Sequence, residues 1–146
     1  MRGDKIYEYE VDMTGTVDFG IALADILDGK AKVPPHGARF NVGFAGRSTG
    51  RLAGTVEGTD FAYVRADGCF ELNIHAVIKT DDGHRIALWA DGVAVPRASE
   101  PVLDLSENVR LLTAASDYAW VNAIQIWATG AADVSTGKIR IEGYAQ

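Results

Sequence analysis

The feature that most constrains this chain is a run of alternating strands broken by two Asp-Gly pairs. After Asp60 the sequence reads FAYVRADGCFELNIHAVIKTDDGHRIALWAD, with Asp67-Gly68 and Asp82-Gly83 between segments rich in Val, Ile, Phe, Ala and Leu. Asp-Gly tolerates the positive φ angles of a tight hairpin turn, so the stretch is predicted to be a β-meander of three strands. Reading Asp67-Gly68 as a two-residue loop fixes a register. Ala66 then faces Cys69, Val64 faces Glu71, Ala62 faces Asn73, and Asp60 faces His75. Because side chains alternate along a strand, Glu71, Asn73 and His75 share one face and Phe70, Leu72 and Ile74 the other. That register sets an aspartate beside a histidine. The polar row is either the wet side of a half-buried sheet or a stripe aimed into a lumen, and the functional expectation rests on the second.

The remaining segments extend the same architecture. Lys5 to Met13 alternates as a first strand, ended by Thr14-Gly15. Between Asp18 and Asp28, Phe19, Leu23, Ile26 and Leu27 recur at helical spacing, with Asp18 as a candidate N-cap and Gly29 as a candidate stop. One short amphipathic helix is expected there, lying across a barrel end as a plug or lid or serving a subunit contact. Lys30 to Gly37 is a linker, since Pro34-Pro35 forbids both helix and central strand. Arg39 to Phe44 and Arg51 to Val56 read as a hairpin punctuated by Gly43, Gly46, Gly50, Gly54 and Gly58, glycines that suggest bulges or close backbone approach. Pro96 to Pro101 is a surface loop. Val102 to Ala114, Tyr118 to Thr129 and Lys138 to Tyr144 complete about eight or nine strands, the number that closes a small barrel. The expectation is an all-β chain, one domain over residues 1–146, folded as a closed antiparallel barrel with one short N-terminal helix.

The segments Gly58-Thr59-Asp60-Phe61, Arg65-Ala66-Asp67-Gly68, Glu71-Leu72 to His75, Thr80-Asp81-Asp82-Gly83 and Tyr118-Ala119-Trp120-Val121-Asn122 resemble the successive motifs of a small bacterial family known as a domain of unknown function. That family is grouped with calycin-like, allene-oxide-cyclase-like β-barrels. The resemblance covers about residues 37 to 145, with the TDDG turn and the YxWxN pattern as its most specific marks. It implies a calycin-like barrel around a small-molecule cavity and carries no activity with it. The sequence departs from the pattern at His75, where the family commonly has arginine, and at Phe61, where tryptophan often follows the aspartate. At His75 a titratable ring therefore replaces a permanently charged fork.

Charge and motif content narrow the functional classes. The net charge is −6 with the basic residues scattered, so the long-range field opposes a phosphate backbone and nucleic acid is not an expected partner. No window approaches the ~20 apolar residues of a membrane span and the N-terminus lacks an apolar leader core, so no membrane association is expected. With a single cysteine, Cys69, no intrachain disulfide forms; a cytoplasmic location is expected. Gly46-Arg47-Ser48-Thr49-Gly50 matches GxSxG by letter. The following residues read as strand rather than helix, so a glycine-rich turn is expected in place of a nucleophile elbow. No P-loop or GxGxxG arrangement is present. His36, His75 and His84 have no metal-ligand spacing, and neither a metal nor another cofactor is expected.

The candidate site is therefore Asp60 and His75 as an acid–base pair, with Glu71, Asn73, Tyr118, Trp120 and Asn122 contacting substrate. Read as strand, Tyr118, Trp120 and Asn122 fall on one face, and Asn122 would donate to a developing enolate oxygen. The same three residues could instead be core packing and a backbone-paired amide. The functional expectation is a small-molecule-binding barrel acting as a cofactor-free isomerase, cyclase or lyase. The alternatives are a binding protein without turnover and a filled barrel with a structural role. A homodimer is the expected assembly if there is one.

Overall fold

In the computed structural model, which describes residues 3–146, eight antiparallel strands close on themselves in sequence order, each pairing with its neighbours in the chain and the last with the first. Met1 and Arg2, part of the expected domain span and leader reading, lie outside the described residues. The strands are β1 (Lys5–Asp18), β2 (Ala38–Gly50), β3 (Gly54–Val64), β4 (Phe70–Thr80), β5 (Arg85–Pro96), β6 (Val102–Leu112), β7 (Ile126–Asp133) and β8 (Lys138–Ala145). Helix α1 (Leu23–Leu27) lies between β1 and β2, and a 3-10 helix over Ser116–Ala123 lies between β6 and β7. No helix among the described residues is long and apolar enough to cross a membrane.

Strict alternation builds the core. On β4, Phe70, Leu72, Ile74, Ala76 and Ile78 point inward while Glu71, Asn73, His75, Val77 and Lys79 point out. Leu103, Leu105, Val109 and Leu111 do the same on β6, joined by Ile86, Leu88, Ala90 and Ala94 of β5. Closure leaves no sheet edge unpaired, and the inward rows of all eight strands join in one core.

Small residues set how tightly the wall can coil. A Cβ placed on Gly130 would lie 1.9 Å from the carbonyl oxygen of Arg140 on the adjoining strand. A Cβ on Gly143 would lie 2.5 Å from the ring of Tyr7, which lies across that position. The glycine-rich stretch that was expected to turn at Gly46–Gly50 is continuous β2 instead, because its glycines serve close approach to β1: a Cβ on Gly46 would meet the Glu10 oxygen at 2.1 Å.

Two elements differ from their sequence reading. β1 continues through Thr14-Gly15 to Asp18, absorbing Thr14 as an irregularity between Met13 and Gly15. The helix is correspondingly short: Asp18 ends the strand, its carboxylate accepting from the Leu23 amide at 3.2 Å, and Phe19 is exposed rather than packed. Tyr118–Asn122 is helical where a strand was expected. There Tyr118 donates to the Asp82 carboxylate at 2.8 Å, and the Arg51 guanidinium lies 3.9 Å above the Trp120 ring. The Asn122 side chain brackets Thr113, accepting from its amide and donating to its carbonyl, both at 2.8 Å. With Leu52 and Val121 fully buried beneath, this segment plugs one end of the barrel.

Two substitutions test the account. Gly130→Ala should destabilise by about 1–3 kcal/mol through forced overpacking, read from denaturant midpoints. Asn122→Ala, which strands the Thr113 backbone, should lower stability by a comparable ~1–3 kcal/mol.

Candidate functional site

The turn between β3 and β4 decides which residues enter the lumen. Arg65 donates from its amide to the Cys69 carbonyl and Gly68 donates to the Arg65 carbonyl, leaving Ala66, Asp67 and Gly68 as a three-residue loop with Gly68 at φ +88°. This is a turn followed by a glycine bulge, not the two-residue loop of the sequence reading. The extra residue shifts the register by one: Val64 pairs with Phe70, Tyr63 with Glu71, Asp60 with Ile74 and Thr59 with His75. A one-residue slip moves a whole strand's side chains to the other face.

The expected Asp60–His75 pair is therefore not formed. Asp60 faces the lumen, while Glu71, Asn73 and His75 stand on the outer wall, exposed to solvent. His75 lies beside Trp89 of β5 and packs edge-on to Phe61, ring centroids 5.8 Å apart. Glu71 sits 3.7 Å from the exposed Arg65. Asn73 reaches Asp60 only through its backbone, its amide donating to the Asp60 carboxylate at 3.0 Å. Tyr118, Trp120 and Asn122 belong to the plug at the barrel's opposite end and do not line the cavity.

The lumen contains a cavity of about 70 Å³, several times the roughly 10–15 Å³ one water needs. Its walls are mostly carbon, including Val11, Val42, Phe44, Phe70, Leu72 and Leu105, and Leu23 and Leu27 of α1 cover it. Its ionisable lining groups are Asp60, Glu107 and Tyr9. Glu107 escaped the sequence reading. The signal was present, since it occupies the inward phase of Leu103, Leu105, Val109 and Leu111, where an acid breaks an otherwise apolar row. Only 1% of Glu107 is exposed, and neither carboxyl oxygen has a hydrogen-bond partner. Its ladder neighbours are Gly92 and Ala128, small residues that leave space around its head group.

Burial sets the proton affinities of these groups. Loss of water raises the Glu107 carboxyl to about 8, with the nearby Asp60 charge adding to the effect. Asp60 rises less, to about 6, because desolvation is opposed by the hydrogen bond from the Asn73 amide. Tyr9 is held well above its ordinary range by burial first and then by Glu107. At neutral pH Glu107 thus carries a proton and Asp60 does not. Two carboxyls facing one cavity with separated affinities can serve as an acid and a base. Ser48, fully buried on β2 with an unpartnered hydroxyl, is not among the groups lining the cavity; strand β3, not a helix, follows its turn.

The raised carboxyl also makes stability depend on pH. Between the ordinary glutamate value of 4.5 and about 8 the folded chain holds a proton that the unfolded chain has released. Stability is full below that window and falls as pH rises through it, by on the order of 1 kcal/mol per pH unit. Glu107→Gln should therefore raise the melting temperature most at pH 8–9 and least near pH 5, measured by circular dichroism.

The fold recurs in solved structures of low sequence identity. A protein of unknown function from Clostridium acetobutylicum superposes with a TM-score of 0.80 at 18% identity, over 100% of this chain and 99% of that one. A β-barrel-like protein from Acinetobacter baumannii gives 0.74 at 18% identity, over 97% and 93%. An enzyme from Penicillium herquei gives 0.61 at 17% identity, over 99% and 96%. No curated protein sequence matches. A family model covers residues 10–145, nearly the whole barrel, and the chain belongs to that family, described as a protein of unknown function, DUF3237.

Proposed function

We propose that the barrel binds a small organic molecule in its apolar lumen and moves a proton on it without a cofactor. The observation that carries this reading is the pair of carboxyls, Asp60 and Glu107, set in one carbon-lined cavity with proton affinities near 6 and near 8. Asp60, with one oxygen held by the Asn73 amide, is the base. Glu107 is the acid. For a carbonyl compound with a β,γ double bond, Asp60 takes a proton from the α carbon as Glu107 gives its proton to the carbonyl oxygen, producing a neutral dienol. Return of the Asp60 proton to the γ carbon, with Glu107 recovering its own from the enol oxygen, completes an isomerisation and restores both groups. His75, expected from the sequence to share acid–base chemistry with Asp60, has no part in this because it stands on the outer wall.

A second reading, binding without turnover, draws on the wall itself. Nearly every lining side chain is aliphatic or aromatic, which suits retention of an apolar molecule as well as its conversion.

Exchange of the α-protons of cyclohexanone with heavy water, followed by proton NMR, separates the two. Turnover predicts exchange above the buffer rate with limbs near pH 6 and pH 8. Asp60→Asn should slow it by about 100-fold or more, and His75→Ala should leave it unchanged. Exchange no faster than buffer, or an Asp60→Asn protein as fast as wild type, leaves binding alone.

A further inference from the structure

We infer that the cavity rejects anions and takes a ligand carrying a single hydroxyl or carbonyl group on an apolar body. The inference rests on the cavity being the ligand site and specifies what that site accepts. Three observations carry it. First, among the described residues no Lys, Arg or His lines the cavity, so a carboxylate or phosphate would enter without a counter-charge and beside Asp60. A bare anion in a desolvated site is costly unless it is paired. Second, both oxygens of Glu107 lack a partner although the residue is almost wholly buried, which leaves one donor and one acceptor aimed into the space. A hydroxyl or carbonyl oxygen of the ligand accepts from that donor. Third, Asp60 already accepts the Asn73 amide, and its remaining acceptor capacity faces the same space, fitting a ligand hydroxyl that donates to Asp60 while accepting from Glu107.

The groups that act on Glu107 come from two elements. Asp60 on β3 adds a negative charge, while Tyr7 and Tyr9 on β1 are neutral phenols held well above their usual range by burial. The ladder neighbours on β5 and β7, Gly92 and Ala128, contribute no charge. Nothing facing Glu107 favours its ionised form at neutral pH. The protonated Glu107 is therefore the donor that a ligand oxygen meets, beside an Asp60 charge that an anion would have to face.

Two one-ring probes of similar size test this by calorimetric titration at pH 7: phenol and benzoate. Phenol is expected to bind at least about tenfold more tightly than benzoate. Its affinity should fall as pH rises from 7 to 9 and Glu107 loses the proton it donates. Glu107→Gln, whose amide still donates, should retain phenol binding and lose that pH dependence; the pH series on the unaltered protein tests the same point should the variant not fold. Tighter binding of benzoate than of phenol would overturn the inference while leaving the cavity as a ligand site. Binding of neither would overturn the cavity reading together with it.

Discussion

The exclusion of water from the lumen is the constraint on which the site depends. Eight strands closed in sequence order direct every second side chain into one narrow interior, and the plug beneath and α1 above cover its ends. An acid placed there is shielded from bulk water, so the neutral form of Glu107 prevails and Asp60 is raised as well. A carboxyl on the outer wall has no such history. Glu8, hydrogen-bonded by Lys5 and Arg140 at the surface, is lowered instead. Location in the barrel, more than residue type, decides which acids can hold a proton at neutral pH.

Much of the fold was legible because alternation and turn residues are local signals. The meander, the strands flanking it and barrel closure follow from period-two patterning and Gly placement, and the short helix from apolar residues at helical spacing. The register of the β3–β4 hairpin was not, since Asp-Gly serves a two-residue turn and a three-residue turn with a glycine bulge equally well, and the letters do not say which. That one residue carried His75, Asn73 and Glu71 from the expected lumen to the solvent. The apolar row itself distinguishes the two registers, because Phe70, Leu72 and Ile74 are the residues an interior demands.

The candidate site was half legible for related reasons. Asp60 lies on the inward phase of Val56, Ala62 and Val64, and Glu107 on that of Leu105 and Val109; an acid on the apolar phase of an alternating strand is the pattern that marks both. The YxWxN segment was expected on a ligand-facing strand and stands instead in the plug. Tyr118 bonds Asp82, Asn122 ties down Thr113, and Arg47 grips Asp81 through two 3.0 Å hydrogen bonds, so these residues seal the end opposite the cavity's lid. Their helical geometry arises from tertiary packing over Leu52 and Val121, for which a period-two reading gives no warning.

The central claim is that one cavity holds a protonated glutamate beside an ionised aspartate at neutral pH. Carbon-13 NMR of protein labelled at the side-chain carboxyls of Asp and Glu follows every such group through a pH titration, with Glu107→Gln and Asp60→Asn assigning the two of interest. One glutamate carboxyl titrating near 8 and one aspartate near 6 is the predicted result. Both resonances titrating at ordinary surface values near 4 would show a hydrated lumen and contradict the account.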